Sequence, residues 1–137
     1  EPRCAAVETL IVYEPHFHNG LLGARFIPIK GVPLRITVVG SEERGKPLSD
    51  SLSMGFDELR AGLPSNLVEY VLKGALTAPE LTMFSGGEIR FDCAAYGPKG
   101  TAPIAVANLA RAVILLLSLN DKPVSVDQLR SILLARS

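Results

Sequence analysis

Both histidines of the chain fall in one short run, Glu14-Pro15-His16-Phe17-His18. In an extended segment, residues two apart project to the same side. The spacing therefore gathers Glu14, His16 and His18 on one side. Two imidazoles and a carboxylate are a ligand set for zinc or non-haem iron. The sequence has no third histidine, so Asp92 or a cysteine would have to complete the shell. A cupin-type metal strand would carry a Glu soon after the second His, where this chain has Asn19-Gly20-Leu21-Leu22. With 137 residues the chain is too short for a metal-dependent hydrolase barrel. The plainer reading is a pair of surface or half-buried histidines at a strand end, able to sense pH only where they face a carboxylate or an interface.

A second motif is Gly97-Pro98-Lys99-Gly100-Thr101, between a strand pattern and a helix pattern. Free backbone N–H groups at a helix start attract anions, and glycine lets a phosphate approach closely. Gly97, Lys99, Gly100 and Thr101 are thus candidate anion ligands, with Lys99 adding charge. The spacing is neither that of a P-loop nor that of a dinucleotide fingerprint. The alternative is a simple turn, with Thr101 as a cap and Pro103 in the first helical turn.

Other chemistry finds less support. Ser53, Ser85 and Ser118 lack a nucleophile-elbow context, and both histidines are held in one motif. The helix pair Leu109–Asn120 and Val126–Ala135 resembles the first two helices of a helix-turn-helix domain. It lacks a recognition helix and a basic stripe. With 6% aromatics and no Trp, a stacking platform for single strands is not expected either, so there is no strong nucleic-acid signal. Cys93 reads as a small core residue beside Ile89 and Phe91, with a Cys4–Cys93 disulfide left open.

Composition points to contact with other protein. The formal net charge is zero and only 20% of residues are charged, so little electrostatic repulsion opposes association. The charges are also segregated. Residues 25–46 carry Arg25, Lys30, Arg35, Arg44 and Lys46 against two acids, whereas residues 47–96 carry seven acids against three bases. These five basic residues are the candidate interface, meeting the acidic segment of another subunit. The expected function is a non-catalytic binding or assembly domain acting as a homo-oligomer or with a protein partner. A small metal-dependent enzyme or metal-binding protein using zinc or iron at Glu14, His16 and His18, and an anion binder at 97–101, are the alternatives. The run 102–119 is interrupted by Pro103, Asn108 and Arg111, so it reads as a core helix and not a transmembrane segment. Peripheral membrane contact stays open. The chain starts at Glu1, which suggests a trimmed or processed form with no leader before the fold.

The elements that would position these groups follow from periodicity. Val7–Tyr13 and Val32–Val39 are β-rich, the latter with Val32, Leu34, Ile36 and Val38 on one face. Residues 16–25 contain glycine and read as a loop, with Arg25–Ile29 as a short edge strand suited to docking. Ser41–Ser53 reads as a flexible polar connection. A short helix is expected at 55–61 and another from Pro64-Ser65, with Leu67, Val68, Val71, Leu72 and Leu76 lining its buried face. Leu81–Phe84 and Glu88–Ala95 suggest a hairpin around Ser85-Gly86-Gly87. From Ile104 to Leu119 only Asn108, Arg111 and Ser118 are polar, within one narrow wedge, so nearly the whole helix circumference is apolar. Ser125 and Gln128 form a capping pattern for a last helix. The sum is one α+β domain over 1–137, a two-layer sandwich with a mainly antiparallel sheet covered on one face by helices.

Overall fold

A computed structural model describes residues 2–41 and 45–135. Its strands are β1 (Arg3–Tyr13), β2 (His16–Pro28), β3 (Leu34–Val38), β4 (Arg60–Ala61) and β5 (Gly87–Tyr96). The helices are α1 (Ser65–Thr77), α2 (Pro103–Leu119) and α3 (Val126–Leu133). The sheet runs β1-β2-β5-β3, and β4 pairs with the last residues of β5. All pairings are antiparallel except β3 with β5. The α+β sandwich anticipated from the sequence is what the chain forms.

The helices pack on the face formed by Val7, Leu22, Ala24, Phe26, Ile89 and Phe91. Central to that layer is α2, whose Ala110, Ala112, Val113 and Ile114 have no exposed surface. Burial of so many apolar groups, each stabilising by roughly 1.5–3 kcal/mol when large, makes this helix the main anchor of the fold. Its polar wedge faces the ends of its neighbours. Asn108 Nδ2 donates to the carbonyls of Leu133 and Ala135, and its Oδ1 accepts from Arg111. Arg111 also reaches Thr77 Oγ1 at 2.8 Å, at the end of α1. Asn120 closes the helix in the left-handed region, φ 49°. Ser125 caps α3, accepting from Gln128 N–H at 3.3 Å.

Several local expectations are corrected. Residues 16–25 are not a loop, and Arg25–Ile29 is not an edge. Both fall on or beside β2, which lies between β1 and β5 and gains a ladder on each side despite Gly20 and Gly23. Residues 55–61 are not a helix: a turn ends at Phe56, and an irregular stretch then leads into β4. Pro79–Met83 is a 3-10 helix, so no 81–95 hairpin exists. In α1 the buried residues are Leu67, Val71, Gly74 and Ala75, while Leu72 and Leu76 stand 37% and 58% exposed. The helix turns its small residues inward because α1 and α2 approach closely there. A Cβ on Gly74 would overlap the Ala107 backbone.

A bulge explains Cys93. Gly23 pairs with Cys93 and Ala24 with Phe91, so Asp92 is the extra residue of β5. The alternation of β5 flips at that point. Ile89 and Phe91 face the helices, but Cys93 is exposed on the other face. Cys4 and Cys93 are both free thiols. The far face is partly covered by the connection before β4. Ser51 Oγ and Leu52 N–H donate to Glu8, and the Phe56 ring meets Phe17 at 5.5 Å.

Candidate functional site

The hairpin between β1 and β2 and the turn between β5 and α2 come together at one end of the sheet. β1 and β2 pair through Tyr13↔His16, so His16 and His18 sit at the start of β2 with the Tyr13 ring against both. Ring centroids are 5.7 Å apart for Tyr13–His16 and 5.2 Å for Tyr13–His18. Tyr13 Oη lies 2.9 Å from His18 Nε2. Burial, and secondarily the positive charge of His16, holds the His18 imidazole below its ordinary pKa.

Glu14 occupies the turn beside these rings. Among the described residues no three His, Cys, Asp or Glu side chains converge to hold a metal ion. Glu14, His16 and His18 therefore do not form the three-ligand set that their spacing suggested. A phenol takes one ring nitrogen, and no carboxylate hydrogen-bonds to either imidazole among the described residues.

The 97–101 turn is built around an anion that the chain itself supplies. Asp57 Oδ2 accepts from Gly100 N–H at 3.0 Å, Lys99 N–H at 3.2 Å and Asn19 Nδ2 at 3.1 Å. Its other oxygen accepts from Glu58 N–H at 3.0 Å. Thr101 does not cap α2, whose N-cap is Ala102. Its hydroxyl donates to Asn19 Oδ1 at 2.8 Å and accepts from Gly97 N–H at 2.9 Å. Asn19 N–H completes the lock by donating to Gly100 O at 3.0 Å. Gly97 is required because a Cβ there would overlap the Asp57 carboxylate. The loop is thus a nest for a carboxylate, held by the side chains of Asp57, Asn19 and Thr101 from three parts of the chain.

Beside this lock a groove of about 370 Å³ opens between the two motifs. His16, His18, Lys99, Gly100 and Thr101 all line it. Residues some eighty positions apart therefore share one polar surface, next to the N-terminal end of α2. A second, more apolar cavity of about 450 Å³ lies on the other side of Tyr13 and His18, towards α2 and α3.

The expected basic interface is dispersed. Arg25 pairs with the bulge residue Asp92, its Nε at 2.9 Å. Arg35 lies 3.8 Å from Glu88, which also meets Arg90 and accepts from Thr37. Lys30 and Lys46 are exposed, and Arg44 lies outside the described residues. The basic segment thus meets the acidic segment within one chain. Sequence reasoning missed Asp57, Asn19 and Tyr13. The sequence pattern puts Asp57 in a helix, and only the fold brings it to residues 97–101.

Comparison with protein-family models, with curated proteins and with solved structures found no match. Among the described residues no helix is long and apolar enough to cross a membrane.

Proposed function

We propose that this is a non-catalytic assembly domain that pairs with a second copy of itself along the outer edge of β1. The observation that carries this reading is the edge itself. β1 is 11 residues long, contains neither Pro nor Lys, and among the described residues forms a strand ladder with β2 alone. An unpaired edge of this length is a template for another strand unless charges or bulges defend it. β1 has two charges, and both are engaged inside the chain. Glu8 accepts from Ser51 and Leu52, and Arg3 lies over the rings of Phe26 and Phe84. The opposite edge strand, β3, has only 5 residues. The zero net charge adds no opposing repulsion.

Because Arg25 and Arg35 find partners in their own chain, association rests on backbone pairing and not on complementary charge patches. Sedimentation velocity over a wide concentration range tests it. A reversible dimer is expected for the natural chain, and a monomer for Ala6→Lys, which sets a cation on the exposed side of the edge. A chain that stays monomeric at high concentration overturns the reading.

A second reading, an anionic ligand in the groove, is favoured by the meeting of His16 and His18 with Lys99. Its amide cradle is already filled by Asp57, so an outside anion would rely on Lys99 and His16. Titration with inorganic phosphate, read as a shift in melting temperature, tests it.

A further inference from the structure

A cleft of about 450 Å³, partly open to solvent, lies between the β1–β2 ladder and helices α2 and α3. Ligand sites fall at about 300–1,000 Å³, a range that includes this volume. Its walls include Ile11 from β1, Ile104 and Ala105 from α2, and Leu133 from α3. Two buried polar residues also line it, and they differ. Asn108, 2% exposed, has its amide filled by Leu133, Ala135 and Arg111. Thr9, 7% exposed, has a hydroxyl with no hydrogen-bond partner among the described residues. That hydroxyl is therefore free to pair with a molecule seated in the cleft.

Among the described residues no Lys or Arg lines this chamber, and His18, the one base that does, is held below its ordinary pKa by burial. A carboxylate or phosphate placed there would lose its hydration without a counter-charge. We infer that the cavity binds a small, uncharged, largely apolar molecule whose single hydroxyl or carbonyl group bonds to Thr9. This site is separate from the edge of β1: pairing uses outward backbone groups, and the cavity uses inward side chains.

The test uses the full chain and three neutral probes. N-phenyl-1-naphthylamine reports occupancy by fluorescence, and 4-propylphenol and propylbenzene, which differ by one hydroxyl, compete for the chamber. Saturable binding with one site per chain is expected, with displacement by both competitors and a preference for the phenol. Thr9→Val keeps the shape and removes the hydroxyl. It should lower phenol affinity roughly 3- to 10-fold, the range of one hydrogen bond, and leave propylbenzene unchanged. Ala105→Phe, which fills the chamber, should abolish probe binding with the far-ultraviolet circular dichroism intact. If that variant does not fold, Leu133→Trp closes the α3 side and should do the same. Absence of saturable binding to the natural chain overturns the inference. So does binding that survives a folded, filled variant, or a phenol preference that Thr9→Val leaves unaltered.

Discussion

Asp57 Oδ2 accepts the backbone N–H of Gly100 at 3.0 Å, joining residues 43 positions apart. This bond fixes the turn that starts α2, and through Asn19 it fixes the β2 strand as well. The anion cradle is thereby a structural lock. Asp57→Ala should destabilise the chain by about 2–3 kcal/mol, the scale of bonds to a charged acceptor. Asp57→Asn should cost less, since one acceptor oxygen remains. Gly97→Ala displaces the same carboxylate, so its cost and that of Asp57→Ala should fall well short of additive. Urea unfolding of the two single variants and the double variant checks this.

Gly74 decides how closely α1 and α2 approach. Alanine gains about 1 kcal/mol of helix propensity over glycine. The overlap with the Ala107 backbone opposes it, and overpacking costs up to about 3 kcal/mol. The clash wins, so Gly74→Ala should lower stability by about 2 kcal/mol. Leu76→Ala, on the exposed side of the same helix, should change it by less than about 0.5 kcal/mol. Thermal unfolding of both variants is the measurement.

His18 makes stability depend on pH. Its folded pKa is depressed by burial and then by His16, so the unfolded state binds the proton more readily. The imidazole's contribution is fully present above its ordinary value of about 6.5. It falls away as pH drops from there through the lowered folded value. Stability should therefore decline from pH 7.5 to 5, and His18→Gln should flatten that part of the profile. Denaturant unfolding across this range reads it directly.

Cys93 should react slowly although it is exposed. Partial desolvation by the sheet, and then the neighbouring Asp92 carboxylate, raise its thiol above the ordinary pKa. Only the thiolate attacks a disulfide reagent. In a Cys4→Ser background, modification by an aromatic disulfide at pH 7.5 should lag behind a free thiol and speed up with rising pH. Asp92→Asn should accelerate it.

The sequence marked some of this architecture and concealed the rest for identifiable reasons. α2 was legible because its apolar surface is nearly continuous, which only a buried helix tolerates. α3 was legible from Ser125 and Gln128, whose bond closes its first turn. β2 was concealed because Gly20, Gly23 and two histidines lower its strand propensity, while ladders on both sides hold it extended. Cys93 was misplaced because the Asp92 bulge breaks the two-residue period. Each site motif could be read alone, but their shared groove, and the Asp57 carboxylate inside one of them, depend on contacts that no local spacing encodes.

The most direct test of β1 as an assembly edge is amide hydrogen exchange of residues 3–13 at high and low protein concentration. The account predicts that alternate amides of β1, those turned away from β2, gain protection only at high concentration. This gain should resist added salt, because backbone pairs are not screened as surface ion pairs are. Equal exchange of these amides at both concentrations would contradict it.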